Sequence, residues 1–366
     1  MHQTGYTRAS TLGPIARVVT AAGGSIERVF RRADLPLALL ESPDTLLPLR
    51  DHFRLLMVTS RELHDEVFAA RLGRQTSMAG LGVFGRWVTQ APTLLEAIQR
   101  AGTSLPHMLQ TATQLVVRRY GSEIHWSYEL TDPARDGRQQ NEMLAIWYMI
   151  AVVRHFADAC WLPSRIIFGS LPPRLRSPIG ELMCTDTAVG NAASAIVFDR
   201  RLLTAVNPNL GQGDGLTAGE LGRIFDLPDP EDLPGRLSVL IELELLDRRP
   251  TLSRIGNRSG LARRTLQRRL SEVGLSYSDL LRNALQRRAV RLLCQTERSI
   301  GEIASMLGYD DPAHFSRAFE RWSGVPPTRW RRLLESRVRP DTKRVEDDLE
   351  TDSLVQAIGL HTRHRI

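Results

Sequence analysis

Hydrophobic positions keep a helical period over most of this chain and change to a strand period in a few short places. Residues 11 to 40 carry helical apolar patterns interrupted by Gly23-Gly24 and Pro36, which predicts two short helices. Pro48 to Leu72 reads as one longer amphipathic helix, with Phe53, Leu56, Met57, Leu63 and Val67 close to helical spacing. From Leu115 to Leu130 the period falls to two. Ile124, Trp126 and Tyr128 share one face, and Gly121-Ser122 joins two alternating runs, so a β-hairpin is predicted. Gln139 to Trp161 predicts a mostly buried helix, and Arg165–Gly169 and Ala195–Asp199 two further strands. This succession makes an α+β domain over residues 1–206.

Residues 207–232 break the pattern. Pro208, Gly211, Gly213, Gly215, Pro228 and Pro230, with Asp226, Asp229, Glu231 and Asp232, read as a linker, with a short helix expected from Thr217 to Phe225. Helical periodicity then resumes for an all-α segment, 233–334. Ser299 and Glu302 have capping-box spacing, and Ile300, Ile303, Ala304 and Leu307 form one apolar stripe before Gly308 ends the helix. A second helix follows Pro312, with Phe315 and Phe319 on one face and His314, Ser316 and Arg317 elsewhere. That is a helix-turn-helix.

An earlier copy precedes it. Thr251, Leu252, Ile255 and Gly260 match Ser299, Ile300, Ile303 and Gly308, and Leu266-Gln267-Arg268 matches Phe315-Ser316-Arg317. Asp279 to Thr296 predicts the rigid helix between the two copies. The first copy is irregular: Gly256 stands where Ala304 sits, Ser259 replaces Leu307, and Ala262 lacks a capping side chain. Each of the first and last should cost about 1 kcal/mol, so this unit is expected to be weak.

Ile300, Ile303, Ala304, Gly308, Tyr309, then Phe315, Arg317, Phe319, then Gly324 and Pro327 follow the signature I-x-x-I-A-x-x-x-G-F/Y, F-x-R-x-F, G-x-x-P. In this the chain resembles the AraC/XylS family of bacterial transcription regulators, and the resemblance implies two helix-turn-helix units reading promoter DNA. Pro92-Thr93-Leu94 with Glu96-Ala97, the strand ending at Phe168, and Ile196 to Leu203 resemble the arabinose-binding-like, non-cupin sensor domain of the ornithine-utilisation-regulator subgroup. The aromatic and His elements usual after that strand are largely missing from Ser170-Leu171-Pro172-Pro173, so no ligand type carries over.

Charge fits such a module. Residues 234–340 hold 21 Arg and 11 Asp or Glu, an excess of ten, which leaves the rest at −3 within a whole-chain charge of +7. The three cysteines are widely spaced with no C-x-x-C, which argues against a disulfide framework or a zinc ribbon, and no apolar leader follows the first residues; a cytoplasmic protein is expected, with no metal or cofactor. Met143–Val153 is too short an apolar run to span a membrane. Gly80-Leu81-Gly82-Val83-Phe84-Gly85 matches G-x-G-x-x-G, but no strand-like run precedes it, so glycines admitting close packing are expected there rather than a nucleotide site. The mixed-charge segment 335–366, with an apolar patch at Leu354–Leu360, reads as a tail.

For base contacts, Arg263, Arg264, Gln267 and Arg268 suit the first reader, because Arg forks match guanine and Gln matches adenine. The resemblance places Pro312, Ala313, His314, Ser316 and Arg317 at contact positions of the second. Arg329, Arg331 and Arg332 are expected on phosphates. The functional reading is a ligand-responsive, sequence-specific transcription activator of a metabolic operon, with promoter DNA, RNA polymerase, a small-molecule effector and a second copy of the chain as partners. A ligand-independent architectural binder or a repressor is the alternative. An enzyme fused to a DNA module would need a thiolate in an electropositive setting, and neither Cys160 in ADACWLP nor Cys184 in ELMCTDT has one.

Overall fold

A computed structural model of the chain describes residues 5–169, 171–190, 193–211, 216, 227–229 and 231–338, and it divides into two compact units, Met1–Asp232 and Leu233–Ile366. The helix expected at Thr217–Phe225 and the tail from residue 339, Leu354–Leu360 included, lie outside the described residues.

The first unit opens with β1 (Tyr6–Arg8) paired antiparallel to β2 (Leu46–Pro48), and between them lie α1 (Ile15–Ala21) and α2 (Ile26–Ala33). The single helix expected at Pro48–Leu72 is instead two, α3 (Leu49–Glu62) and α4 (Phe68–Gly73). His64 takes a left-handed conformation (φ 50°), and the Asp65 carboxylate accepts from the Val67 N–H at 3.1 Å. Asp favours such local backbone bonding, and here it stops one helix and starts the next. After a 3-10 turn at Met78–Leu81 come α5 (Gly82–Thr89) and α6 (Leu94–Met108), the latter capped by Thr93 accepting from Glu96 N.

Of the glycine cluster Gly80, Gly82 and Gly85, only Gly85 serves close packing, while Gly82 has a left-handed backbone (φ 60°) in open space. A Cβ on Gly85 would lie 1.7 Å from the Met78 carbonyl oxygen, so only glycine lets α5 close against the turn before it.

The hairpin forms as the alternation predicts, β3 (Thr113–Tyr120) and β4 (Glu123–Leu130), followed by α7 (Arg138–Phe156), β5 (Arg165–Phe168), α8 (Arg176–Met183), β6 (Thr187–Val189) and β7 (Ser194–Asp199). α7 ends five residues before the expected Trp161, because Ala157 leaves the helical region and Asp158 caps a turn through Cys160 N. Strand order is β3-β4-β7-β5-β6, antiparallel except for β5–β6. In register, Trp126 stands opposite Val117 and Ile196, and Ile196 opposite Ile166, so one row of apolar side chains crosses the sheet. α7 packs against α3, α4, α5 and α6 and onto the sheet. Gln140 fixes it there: its amide accepts from Ala69 N at 3.0 Å and donates to the Glu66 carbonyl at 2.7 Å.

The second unit is helical: α9 (Leu233–Glu244), α10 (Leu252–Ser259), α11 (Arg263–Glu272), α12 (Tyr277–Gln295), α13 (Ile300–Met306), α14 (Pro312–Ser323) and α15 (Pro327–Val338). α12 begins at a full capping box in which Ser276 and Asp279 bond each other's backbone N–H. At 19 residues it runs about 28 Å. Leu280, Ala284, Leu285, Ala289 and Leu293 join one continuous buried cluster that includes Ile255, Leu266 and Leu270 on one side and Ile303, Phe315 and Phe319 on the other. The two helix pairs therefore share a core, and their separation is fixed by packing rather than by a tether.

Candidate nucleic-acid interface

Each helix pair turns on a left-handed glycine, Gly260 (φ 69°) in the first and Gly308 (φ 77°) in the second. A non-glycine residue pays a steric penalty in this region, and glycine does not. Past the first turn, Leu266 and Leu270 are fully buried four residues apart, which fixes the rotation of α11. That rotation leaves Arg263, Arg264, Gln267 and Arg268 exposed, with 263/267 and 264/268 stacked one turn apart. Arg268 Nη1 donates to Glu272 at 2.7 Å, with both side chains more than half exposed. Such a pair holds well under about 1 kcal/mol, less than a bidentate contact to a base, so it does not lock the guanidinium away.

Past the second turn, Phe315, Ala318 and Phe319 set the rotation of α14, and Pro312, Ala313, His314 and Arg317 are exposed. Asp311 accepts from Ala313 N at 2.8 Å and Pro312 takes the first helical position, where no N–H is needed. Ser316 is only half-exposed, and its hydroxyl donates back to the Pro312 carbonyl at 2.9 Å. His314 Nε2 lies 3.8 Å from Asp311 Oδ2. On α15, Arg329 and Arg332 are exposed, whereas Arg331 is half-buried with one nitrogen 3.5 Å from the Thr296 carbonyl.

The supports of the two pairs differ. α13 starts at the Ser299–Glu302 capping box, and the Ser299 backbone N–H and hydroxyl hold the Glu302 carboxyl below its usual range. An aromatic chain backs α14: ring centres are 5.6 Å apart for Tyr309–Phe315, 5.8 Å for Phe315–Phe319 and 5.8 Å for Phe319–Trp330. The first pair is instead tied to α9 by a buried ion cluster. Glu244, 3% exposed, bonds Arg258 Nη1 at 2.9 Å and Arg254 Nε on α10.

This cluster was not anticipated from the sequence, although a signal for it existed. Leu237, Leu240 and Ile241 mark the buried face of α9, and Glu244 falls on that same face. Gly256 also departs from expectation. A Cβ there would lie 2.8 Å from the Leu261 carbonyl oxygen, so the residue read as a weakness is what lets the turn close. Ala262 does lack a side-chain cap, as anticipated.

Among the described residues no helix is long and apolar enough to cross a membrane, and no group of three or more His, Cys, Asp or Glu is placed to hold a metal ion.

Comparison with known proteins matches residues 23–206 to the family described as arabinose-binding domain of AraC transcription regulator, N-terminal, and residues 255–333 to a helix-turn-helix domain family. The chain is 24% identical over 331 residues to the HTH-type transcriptional regulator VirS of Mycobacterium tuberculosis, covering 88% of this chain and 96% of that protein. It is 34% identical over 82 residues to the ornithine utilization regulator of Pseudomonas aeruginosa, covering 22% of this chain and 24% of that one. Among solved structures, the transcriptional regulator CdpR from Pseudomonas aeruginosa aligns with 23% identity and a TM-score of 0.34, covering 72% of this chain and 86% of that chain.

Proposed function

The chain belongs to the AraC family of transcription regulators, and from that premise we propose that it is an effector-responsive activator whose two helix pairs read neighbouring major-groove segments of one promoter. The observation that carries this reading is the pair of exposed faces on α11 and α14, both projecting from one core through α12. Arg263, Arg264, Gln267 and Arg268 serve as base readers in the first. Arg317 and His314 do so in the second, with Pro312 and Ala313 shaping the approach or meeting a thymine methyl. Arg329 and Arg332 contact phosphates; Arg331 can join them only by leaving the Thr296 carbonyl. The first unit supplies a small-molecule site and a surface for pairing with a second copy, and the bound regulator recruits RNA polymerase. No chemistry on a substrate is assigned to it.

The ligand acts only if it binds one arrangement of the regulator more tightly than another. The test is selection of a preferred duplex from random DNA with the full chain, followed by titration of that duplex and a scrambled one. Arg268→Ala should weaken binding to the selected duplex by about 1–3 kcal/mol and leave scrambled DNA nearly unaffected. Equal losses on both would make Arg268 a phosphate contact. Affinity for both duplexes should fall steeply with salt, and a flat response would overturn the assignment of the basic faces to DNA.

A further inference from the structure

The buried cluster along α12 is one route between the two helix pairs, and a second lies outside it. It starts in the short segment between α9 and α10. On one side of Arg249, the Arg248 N–H still bonds the Glu244 carbonyl at 3.0 Å, which continues the end of α9. On the other, the buried Pro250 presents its carbonyl to the hydroxyl of Tyr277, the first residue of α12, at 2.7 Å. Thr251 follows at once and caps α10 by accepting from Arg254 N. Arg249 therefore leaves a backbone held on both sides.

Its side chain does not stay with the first pair. The Arg249 stem lies against the turn of the second: a Cβ added to Gly308 would sit 3.4 Å from Arg249 Cβ, an ordinary contact distance. Farther out, the guanidinium carbon stands 5.8 Å from the centre of the Tyr309 ring, within reach of a cation–π attraction. Tyr309 in turn packs on Phe315, ring centres 5.6 Å apart, and the buried Phe315 helps to set the rotation of α14. Burial raises the Tyr309 pKa, and the Arg249 charge draws it part of the way back, as a guanidinium close to the ring should. The route thus runs from the cap of α10 through Arg249 and Tyr309 to the base of the second reading helix.

We propose that Arg249 is a positioning residue for DNA recognition, a strut between the two helix pairs that fixes how far the second reading helix is turned from the first. It thereby sets which half-site spacing the protein accepts. A rod joining two bodies sets their distance, but it resists rotation about its own axis only as far as the packing on it does. A contact away from that axis removes the remaining freedom. The demand from the DNA is strict, because one added base pair moves a half-site by about 3.4 Å and turns it by about 35°. Arginine suits the place, since its stem packs while its planar, always-charged head lies on the ring. The inference rests on the two-reader proposal above and adds what governs the spacing of the readers.

The test uses the full chain with four duplexes: the selected one, versions with one base pair added or removed between the half-sites, and a scrambled one. The unaltered chain should bind either respaced duplex about tenfold or more weakly, the cost of misplacing one reader's base contacts. Arg249→Ala should stay within about fivefold of the unaltered affinity for the selected duplex. Its respacing penalty should shrink by about two- to fivefold, the range that a cation–π contact at an exposed site supports. Arg249 is exposed, so this substitution empties no part of the core. Tyr309→Leu removes the ring face but keeps an apolar group against Phe315, and it should shrink the penalty by the same factor. The double variant should add nothing to either, as expected of two residues acting through one contact. Tyr309→Phe keeps the ring and should match the unaltered chain.

An equal loss on all four duplexes, with a salt slope lower by about one, would make Arg249 a phosphate contact and overturn the strut. A respacing penalty that shrinks in Arg249→Ala but not in Tyr309→Leu would overturn it too. Indifference of the unaltered chain to spacing overturns the two-reader proposal and this inference together. A strict spacing that Arg249→Ala leaves equally strict overturns this inference alone.

Discussion

The two helix-turn-helix units reach one geometry by different chemistry. In the second, nearly every local rule points the same way: a capping box opens α13, Asp311 and Pro312 open α14, and the rings of Tyr309 and Trp330 pack on Phe315 and Phe319 of α14. In the first, α11 has no side-chain cap and its core contacts are Leu266 and Leu270 rather than Phe315 and Phe319. What the first has instead is Glu244 between Arg254 and Arg258, an ionic anchor to α9 absent from the motif itself. A repeat can therefore lose its local signals and keep its fold when a neighbouring helix supplies the missing interactions.

The comparison breaks most sharply if each anchor is removed in turn. Phe315→Ala should destabilise the second unit by about 3–5 kcal/mol through lost burial and a cavity. Glu244→Ala should destabilise the first by a similar amount, about 3–5 kcal/mol, because Arg258, with its side chain only 10% exposed, would keep a buried charge and lose the Glu244 carboxylate that bonds it. Hydrogen exchange on the full chain distinguishes the two, since protection should fall first in α13–α14 for one variant and in α10–α11 for the other. Equal loss throughout both units would mean the shared core unfolds as one body and the anchors are not local.

Gly256→Ala sets two effects against each other. Helix propensity alone favours alanine by about 1 kcal/mol. The added Cβ, 2.8 Å from the Leu261 carbonyl oxygen, forces a backbone shift that typically costs about 1–3 kcal/mol. A backbone atom cannot swing aside as a side-chain end can, so the steric effect should win and the variant should be less stable. A stabilised variant would show that the turn can open, and that Gly256 is the defect its sequence context suggests.

Legibility followed the range of the interactions. The second unit was readable because its determinants are local: Ser299 with Glu302, Gly308, and Phe315 with Phe319 all lie within a few residues of each other. The hairpin was readable because Ile124, Trp126 and Tyr128 alternate without interruption. The break at His64-Asp65 was missed because the apolar spacing runs on across it, and one Asp side chain bonding Val67 N decides the outcome. Glu244 and Gly256 were opaque for a further reason. One depends on a helix before the repeat, and the other on a carbonyl five residues ahead, so neither is visible as a property of its own position. The exposed positions proposed as base contacts on α11 followed from the period of the buried leucines, whereas those on α14 also needed the family resemblance.

The smallest expected effect concerns the caps. Ala262 and Asp311 hold equivalent places, and only Asp311 accepts from its helix's backbone N–H groups. Ala262→Ser should stabilise α11 by about 1 kcal/mol, and Asp311→Ala should destabilise α14 by about the same. Serine is the better probe at 262 because it adds an acceptor without placing a negative charge beside Arg263 and Arg264, so any change in DNA affinity is not a simple charge effect. If both shifts appear in hydrogen exchange, the cap accounts for a measurable part of the difference between the units. If Asp311→Ala has its effect and Ala262→Ser has none, the backbone at 262 does not present its N–H groups as an ordinary N-cap does, and the anchoring of α10 to α9 rather than the missing cap governs the first unit.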